Sequence, residues 1–289
     1  MSVVALDVGG TLMKGAVVDR DGTARAVEQR PTPQQPHTVD GILRFAADLT
    51  TAAGTPDAVG LAVPGIVDET HGIARYSTNL GWRDLHLRDL ATQRLGLPVA
   101  LVHDVRAGAV AEHEYGAARG IDDFLFLPIG TGIAGTTFLS GQPYTGSDGM
   151  AGEIGHAPVT VGQEPCACGQ RGCLEAYASA AALVRRYGKP SLSASDIVAL
   201  AETDARARDV LSDAVCALGF ALTTYTMLLD PAVIVIGGGL AEAGDTLLTP
   251  LRTELASRIA WRLPPRVVRA ELGTTAGRLG AAIAARRLA

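Results

Sequence analysis

The 289-residue sequence lacks any block of basic residues, and its formal net charge at pH 7 is −5. Without such a block there is no electrostatic footprint for nucleic acid or for a membrane surface, so we expect neither as a partner. The first residues, MSVVALDVGG, also lack a basic leader segment and an apolar stretch long enough to cross a bilayer. These absences predict a cytoplasmic protein.

Cysteine is scarce, since the chain has four, and three of them fall within the loop CACGQRGC (166–173). In a cytoplasmic chain this clustering indicates metal binding rather than disulfide bonding. One histidine completes a closed, structural Zn²⁺ site whose predicted ligands are His156, Cys166, Cys168 and Cys173. The alternative is a set of reduced thiols in an ordinary loop. The fourth cysteine, Cys216, lies in the apolar helical pattern AVCALGFAL and is predicted to be in the core.

Two segments, one in each half of the chain, share a pattern of strand, Gly/Thr loop and strand. The first joins the apolar runs 2–7 and 15–20 through Gly9-Gly10-Thr11, and the second is FLFLPIGTGIAGTTFL (124–139). Each predicts an antiparallel hairpin, so the sequence carries a weak internal repeat.

Between and after the hairpins, helical and strand patterns alternate, which is typical of α/β sheets. The predicted helices are 38–53, 85–95, 105–115, 179–187, 194–202, 205–229 and 275–287, and the predicted strands are 58–63, 98–103, 233–239 and 266–272. With 47% hydrophobic residues the chain can bury a large core, and two α/β lobes fit its length best. We predict a smaller lobe over 1–116, joined by the closing helix at about 275–289, and a larger lobe over 117–274 that includes the zinc loop.

The glycine-rich loops are candidates for nucleotide binding. Their glycines let the backbone approach an anion closely, and Thr11 can donate to phosphate oxygens. Asp7 could hold Mg²⁺ directly or through water. The alternatives are ordinary glycine hairpins and close helix–strand packing. A P-loop nucleotidase is disfavoured because G-x-x-x-x-G-K-[ST] is absent. The predicted set is Asp7, Gly9, Gly10, Thr11, Lys14, Gly130, Thr131, Gly132, Gly237, Gly238 and Gly239.

The chain resembles the ROK sugar kinases (repressors, open reading frames and kinases). The segments that carry the resemblance are LDVGGTLMKG (6–15), VPGIVD (63–68), IGTGIAG (129–135), GEIGH (152–156), CACGQRGCLE (166–175) and VIGGG (235–239). The resemblance implies the actin-like, hexokinase-like ATPase fold, with a cleft between two lobes. It also implies transfer of the γ-phosphoryl group of Mg-ATP to a sugar hydroxyl.

The same resemblance implies that Asp104 is the catalytic base. On the residues alone, a helix N-cap is an equally good role for this aspartate, which follows the strand PVALVH. The implied sugar-binding residues are Gly65, Asn79, His103, Glu153, His156 and Glu175. His103 departs from the family pattern, which has Asn before the catalytic Asp. Histidine is larger than Asn and can gain charge near neutral pH, so the identity of the sugar is left open.

The leading functional prediction is a hexose kinase, glucokinase-like, that converts glucose to glucose 6-phosphate. Fructose, mannose, allose and an N-acetylhexosamine such as N-acetylmannosamine are alternative substrates.

A sugar-sensing repressor of the same family is expected to carry a helix-turn-helix segment ahead of the first hairpin, whereas here the hairpin begins at residue 3. A non-catalytic sugar-binding protein would be expected to have lost Asp104 or the glycine loops. We expect a homodimer or homotetramer.

Overall fold

The computed structural model describes residues 2–159 and 164–289. The chain folds into two compact units. The first unit comprises the residues up to Glu114, residues 145–150 and residues Thr274–Ala289, and the second comprises Tyr115–Tyr144 and Ala151–Gly273.

Each strand and helix predicted from the sequence has a counterpart in the structure, which also contains elements that were not predicted. The strands are β1 (Ser2–Val8), β2 (Leu12–Asp19), β3 (Ala24–Pro31), β4 (Ala58–Val63), β5 (Ile66–Asp68), β6 (Ile73–Ser77), β7 (Trp82–Leu85), β8 (Val99–His103), β9 (Phe124–Pro128), β10 (Thr136–Leu139), β11 (Gln142–Pro143), β12 (Val233–Gly237) and β13 (Arg266–Arg269). The α-helices are α1 (Thr38–Ala53), α2 (Leu87–Leu95), α3 (Asp104–Tyr115), α4 (Glu175–Ala178), α5 (Ala180–Tyr187), α6 (Ala194–Leu200), α7 (Ala205–Leu229), α8 (Asp245–Arg258) and α9 (Ala276–Arg286). Short 3₁₀ turns cover Ile154–His156, Gly239–Ala243 and Gly273–Thr275.

The first unit is built on a five-stranded sheet in the order β3-β2-β1-β4-β8. Strands β1 and β2 form an antiparallel hairpin, whereas β1, β4 and β8 run parallel. Apolar residues of α1, among them Phe45 and Leu49, are fully buried on one face of the sheet. Alanines of α9 cover the other face, where Gly60 leaves room for the carbonyl of Ala281 because a Cβ would lie 2.0 Å from that oxygen. A separate small sheet, β5-β6-β7, completes this unit.

The second unit repeats the same plan in the order β11-β10-β9-β12-β13. Strands β9 and β10 are antiparallel, and β9, β12 and β13 are parallel. The internal repeat predicted from the two Gly/Thr hairpins is therefore confirmed.

Helix α7 is long and apolar enough, by length and composition, to cross a membrane. One face of it is nevertheless buried in the second-unit core, where Leu218 and Leu222 are fully covered. Helix α7 is therefore a core helix. The prediction that Cys216 lies in the core is wrong, because this residue is on the exposed face of α7, as is Phe220.

Candidate active site

Three predicted site residues of the first unit lie at one edge of its sheet. Asp7 is next to the end of β1, Gly65 follows β4, and Asp104 directly follows β8. Because β1, β4 and β8 are parallel neighbours, their carboxyl ends meet at the same edge, which is where α/β proteins bind ligands. Gly65 has φ +104°, and a Cβ there would lie 2.1 Å from the carbonyl oxygen of Tyr76, so this position requires glycine.

The predicted phosphate hairpin of the first unit is fixed by backbone and hydroxyl contacts. The Gly9 N–H donates to the carbonyl of Leu12 at 2.9 Å, and the Thr32 hydroxyl donates to the carbonyl of Gly9 at 2.6 Å. Asn79 lies against the same hairpin, since a Cβ on Gly10 would be 3.1 Å from the Cβ of Asn79. The structure thus places Asn79, predicted to line the sugar pocket, beside the phosphate hairpin.

Asp7 lies in a region of mixed charge. It is opposite Lys14 in the β1–β2 ladder, and the Lys14 ammonium donates to the carbonyl of Thr274 at 3.4 Å. Burial raises the pKa of Asp7 to about 6, and the negative charge of Asp104 adds to this, whereas Lys14 and Arg278 lower it. Arg278, in the first turn of α9, is a candidate that the sequence analysis missed.

Asp104 is the first residue of α3, and its Oδ1 accepts from the N–H of Val105 at 2.8 Å. Burial raises the pKa of Asp104 to about 6, while the Val105 N–H and the nearby Arg106 lower it. The carboxylate is then largely ionised at neutral pH and has a pKa close to that pH, which suits a general base. The hydrogen bond from the Val105 N–H to Asp104, at the start of α3, is also compatible with a helix-capping role for this aspartate.

His103 is buried at the end of β8, with only 9% of its surface exposed. Burial, helped by the charge of Arg106, lowers the pKa of His103 to about 3, although Glu69 opposes the shift. The imidazole is therefore neutral at physiological pH, and the expectation that it gains charge near neutrality is wrong. Its Nε2 lies 3.4 Å from Oδ1 of Asp104.

The predicted nucleotide loops of the second unit meet at one edge of its sheet. The N–H of Ile129, which follows β9, donates to the carbonyl of Gly237 at 2.9 Å, and the Leu240 N–H donates to the carbonyl of Ile129 at 3.1 Å. Gly238 has φ +75°, and a Cβ there would lie 2.4 Å from the carbonyl oxygen of Ile129. The loop after β9, with Gly130, Thr131 and Gly132, and the Gly237–Gly239 segment therefore lie next to each other.

Glu175 and the segment GEIGH (152–156) both pack against the loop after β9. The carboxylate of Glu175 accepts from the N–H of Ile133 at 2.8 Å. A Cβ on Gly155 would lie 2.0 Å from the carbonyl oxygen of Ile133, so the two backbones are in close contact. On this segment, Oε2 of Glu153 is 3.9 Å from Nε2 of His156. Glu175, and the segment that carries Glu153 and His156, thus contact the loop after β9.

The four predicted zinc ligands come together in the second unit. One ligand atom from each of His156, Cys166, Cys168 and Cys173 lies within 4.8 Å of the other three. The Cys168 and Cys173 sulfurs are 3.7 Å apart, and Cys166 Sγ is 3.7 Å from Nδ1 of His156. Tetrahedral Zn²⁺ with Zn–S bonds of about 2.3 Å would separate two sulfurs by about 3.8 Å, so this donor set fits the ion.

Residues 3–287 match the family model of the ROK family. The chain belongs to the ROK family. The match covers both glycine-rich hairpins, the strand end that carries Asp104 and the cysteine loop, and it confirms the family and the actin-like, hexokinase-like α/β fold that the sequence motifs predicted.

Individual ROK relatives are similar along nearly the whole chain. The glucokinase of Thermotoga maritima is 33% identical, over 98% of this chain and 96% of its own length. The crystal structure of a ROK family glucokinase from Streptomyces griseus in complex with glucose and AMPPNP superposes with a TM-score of 0.87 and 31% identity, covering 99% of this chain and all of that one. A ROK hexokinase from Thermus thermophilus gives a TM-score of 0.82 and 34% identity, covering 99% and 98%. Repressors are also similar, such as the xylose repressor of Bacillus subtilis, 29% identical over 89% of this chain and 69% of that protein.

Proposed function

We propose that this chain is an ATP-dependent hexose kinase whose main reaction converts glucose to glucose 6-phosphate. The observation that carries the proposal is the position of Asp104, which lies at the carboxyl edge of the parallel strands beside Asp7 and has a pKa of about 6. Membership of the ROK family, and similarity to a glucokinase crystallised with glucose and AMPPNP, support the same reaction.

Asp104 would accept the proton of the attacking hydroxyl. A carboxylate that is ionised at neutral pH and has a pKa near 6 can take a proton in the transition state and return it to solvent. The neutral ring of His103 does not add a second charge beside it.

The phosphate groups of ATP would be held mainly by backbone donors. The loops with Gly9 and Gly10 and with Gly130 and Gly132 can approach an anion closely. Asp7 would hold Mg²⁺, which neutralises phosphate charge when it is bound. Lys14, opposite Asp7 in the ladder, adds a positive charge to the same hairpin.

Six residues make up the proposed sugar-binding set. Glu153, His156 and Glu175 offer hydrogen-bonding atoms suited to hydroxyls. Gly65, Asn79 and His103 complete the set. Fructose, mannose, allose and N-acetylmannosamine are the alternative substrates.

We further propose that His156, Cys166, Cys168 and Cys173 hold one structural Zn²⁺. Four protein ligands leave no open coordination position, so the ion would fix the cysteine loop rather than take part in the reaction. The enzyme would work in the cytoplasm as a homodimer or homotetramer, with neither nucleic acid nor membrane as a partner.

A coupled assay of ADP release over a panel of hexoses tests the proposed function. We expect release that depends on both ATP and glucose, with the highest kcat/KM for glucose. Tight sugar binding without ADP release on any hexose would instead indicate a sugar-sensing protein.

A further inference from the structure

A buried arginine lies two residues after Asp104 in α3. Only 5% of the surface of Arg106 is exposed, and its guanidinium has a partner on each nitrogen. Its Nε donates to Oε1 of Glu69 at 2.7 Å, and its two terminal nitrogens donate to the carbonyls of Gly149 and Val67, each at 3.1 Å. A buried cation with this many matched acceptors holds its surroundings in one geometry.

The same carboxylate oxygen of Glu69 has a second donor. It accepts from the backbone N–H of His103 at 2.9 Å. Strand β8 is at the edge of its sheet, so the N–H of its last residue finds a side-chain acceptor here. One oxygen of Glu69 therefore joins the backbone immediately before Asp104 to the side chain two residues after it.

We propose that Glu69 and Arg106 are positioning residues that fix the strand-to-helix junction carrying Asp104. The proposal rests on the proposed function, because it takes Asp104 to be the base. Neither residue needs to touch substrate. Together they hold the chain on either side of Asp104 and so fix the position of its carboxylate. That position matters because proton transfer to a carboxylate depends steeply on its distance and direction from the reacting hydroxyl.

The surroundings of Glu69 offer a direct way to test this role. Glu69 and Arg106 both line a cavity of about 500 Å³ in the first unit, with Thr70, Ser147 and Asp148 among its other walls. Truncating Glu69 to alanine would leave a space continuous with this cavity and a guanidinium without its carboxylate. A small carboxylate such as formate could then enter and accept from Arg106 and from the His103 N–H.

The experiment compares Glu69→Ala, Glu69→Gln and a control, Glu28→Ala. Glu28 also accepts from an arginine, at 2.8 Å from Arg30, but it is on the exposed strand β3, at the opposite edge of the sheet from β8. Glu69→Ala should lower kcat with glucose about 10- to 100-fold and change the KM values for glucose and ATP much less. The reason is that a misplaced base stabilises the transition state less well, whereas the binding of the two substrates is little affected.

Two further results are expected. Formate should restore the kcat of Glu69→Ala several-fold without raising that of the wild type. Glu69→Gln should lose less activity than Glu69→Ala, because its amide oxygen can still accept from the His103 N–H. Glu28→Ala should match the wild type. If Glu69→Ala does not fold, the kcat and KM values of Glu69→Gln carry the test.

A Glu69→Ala enzyme that keeps the kcat of the Glu28→Ala control would overturn the assignment. The assignment would also be overturned if formate did not restore kcat and if the loss of kcat matched a fall in the thermal unfolding temperature of Glu69→Ala. Glu69 would then stabilise the fold without positioning Asp104. A wild-type protein without ADP release on any hexose would instead remove the proposed function, and this assignment with it.

Discussion

At the scale of single residues, His103 occupies the position where the resemblance to the ROK family predicts Asn. Its ring is neutral, largely buried and 3.4 Å from Asp104 through Nε2. The other ring nitrogen, Nδ1, is buried without a hydrogen-bond partner among the described residues. A ring held this close to the proposed base is well placed to affect which hydroxyl configuration the site accepts.

We predict that His103→Asn changes the ratio of kcat/KM between glucose and its epimers by at least about tenfold. The reason is that an unmatched polar group in a sugar site costs about 1–3 kcal/mol, enough to reorder substrates. The measurement is kcat/KM for glucose, mannose, allose and N-acetylmannosamine with both proteins. Equal ratios across the panel would show that His103 only packs at the strand end.

The two buried aspartates predict how activity depends on pH. Asp104 and Asp7 both have a pKa near 6, raised first by burial, and each must be ionised in the proposed reaction. As pH falls through about 6, protonation removes the base and the proposed Mg²⁺ ligand, so kcat/KM for glucose should fall. Because the two groups interact, the midpoint belongs to the pair. A kcat/KM that stays flat down to about pH 5, in a protein shown to be folded, would contradict these roles.

At the scale of elements, the glycine turn after β12 depends on its unusual backbone. Gly238 has φ +75°, and a Cβ there would contact the Ile129 backbone, whereas a Cβ on Gly239 would have no atom within 4 Å. Gly238→Ala should therefore lower the free energy of unfolding by about 1–3 kcal/mol, while Gly239→Ala should change it by less than about 1 kcal/mol. Chemical denaturation of the two variants checks this, and equal losses would show that the turn tolerates a side chain.

The cysteine loop should depend on its metal. Cys168→Ser is expected to abolish stoichiometric zinc and to lower stability by more than about 3 kcal/mol, because metal binding and loop folding are coupled. Elemental analysis and thermal unfolding measure both effects. Cys216→Ser is the matched control, since Cys216 is an exposed cysteine outside the cluster. Full stability in a demonstrably metal-free wild-type protein would rule out a structural ion.

At the scale of the whole molecule, the sequence predicted the features that can be recognised from residues close together in the chain. The two Gly/Thr hairpins and the alternating helices and strands are read from neighbouring residues, and they lie where they were predicted. The small sheet β5-β6-β7 was missed because its strands are three to five residues long and several of their residues are exposed, so no alternating pattern forms. Helix α7 was predicted, but it has apolar residues on both faces, so periodicity could not assign Cys216 to the exposed one.

In the candidate site, too, the sequence did not predict contacts between residues that are far apart in the chain. Residue types and spacing pointed to Asp7 and to the zinc ligands, whereas Asp104 was predicted to be the base only through the resemblance to the ROK family. Glu69 and Arg106 look like ordinary charged residues in the sequence, and they are 37 positions apart. Only the folded chain brings them together beside the Asp104 junction.

The central claim is that this ROK protein transfers a phosphoryl group to glucose with Asp104 as the base. The most direct test is the rate of glucose-dependent ADP release by the wild type and by Asp104→Asn, a variant of nearly the same shape. We predict that the wild type turns over and that the variant loses about 10²-fold or more of kcat while it still binds glucose in calorimetry, because a general base contributes about that factor. An Asp104→Asn enzyme that keeps more than about a tenth of wild-type turnover would contradict the claim.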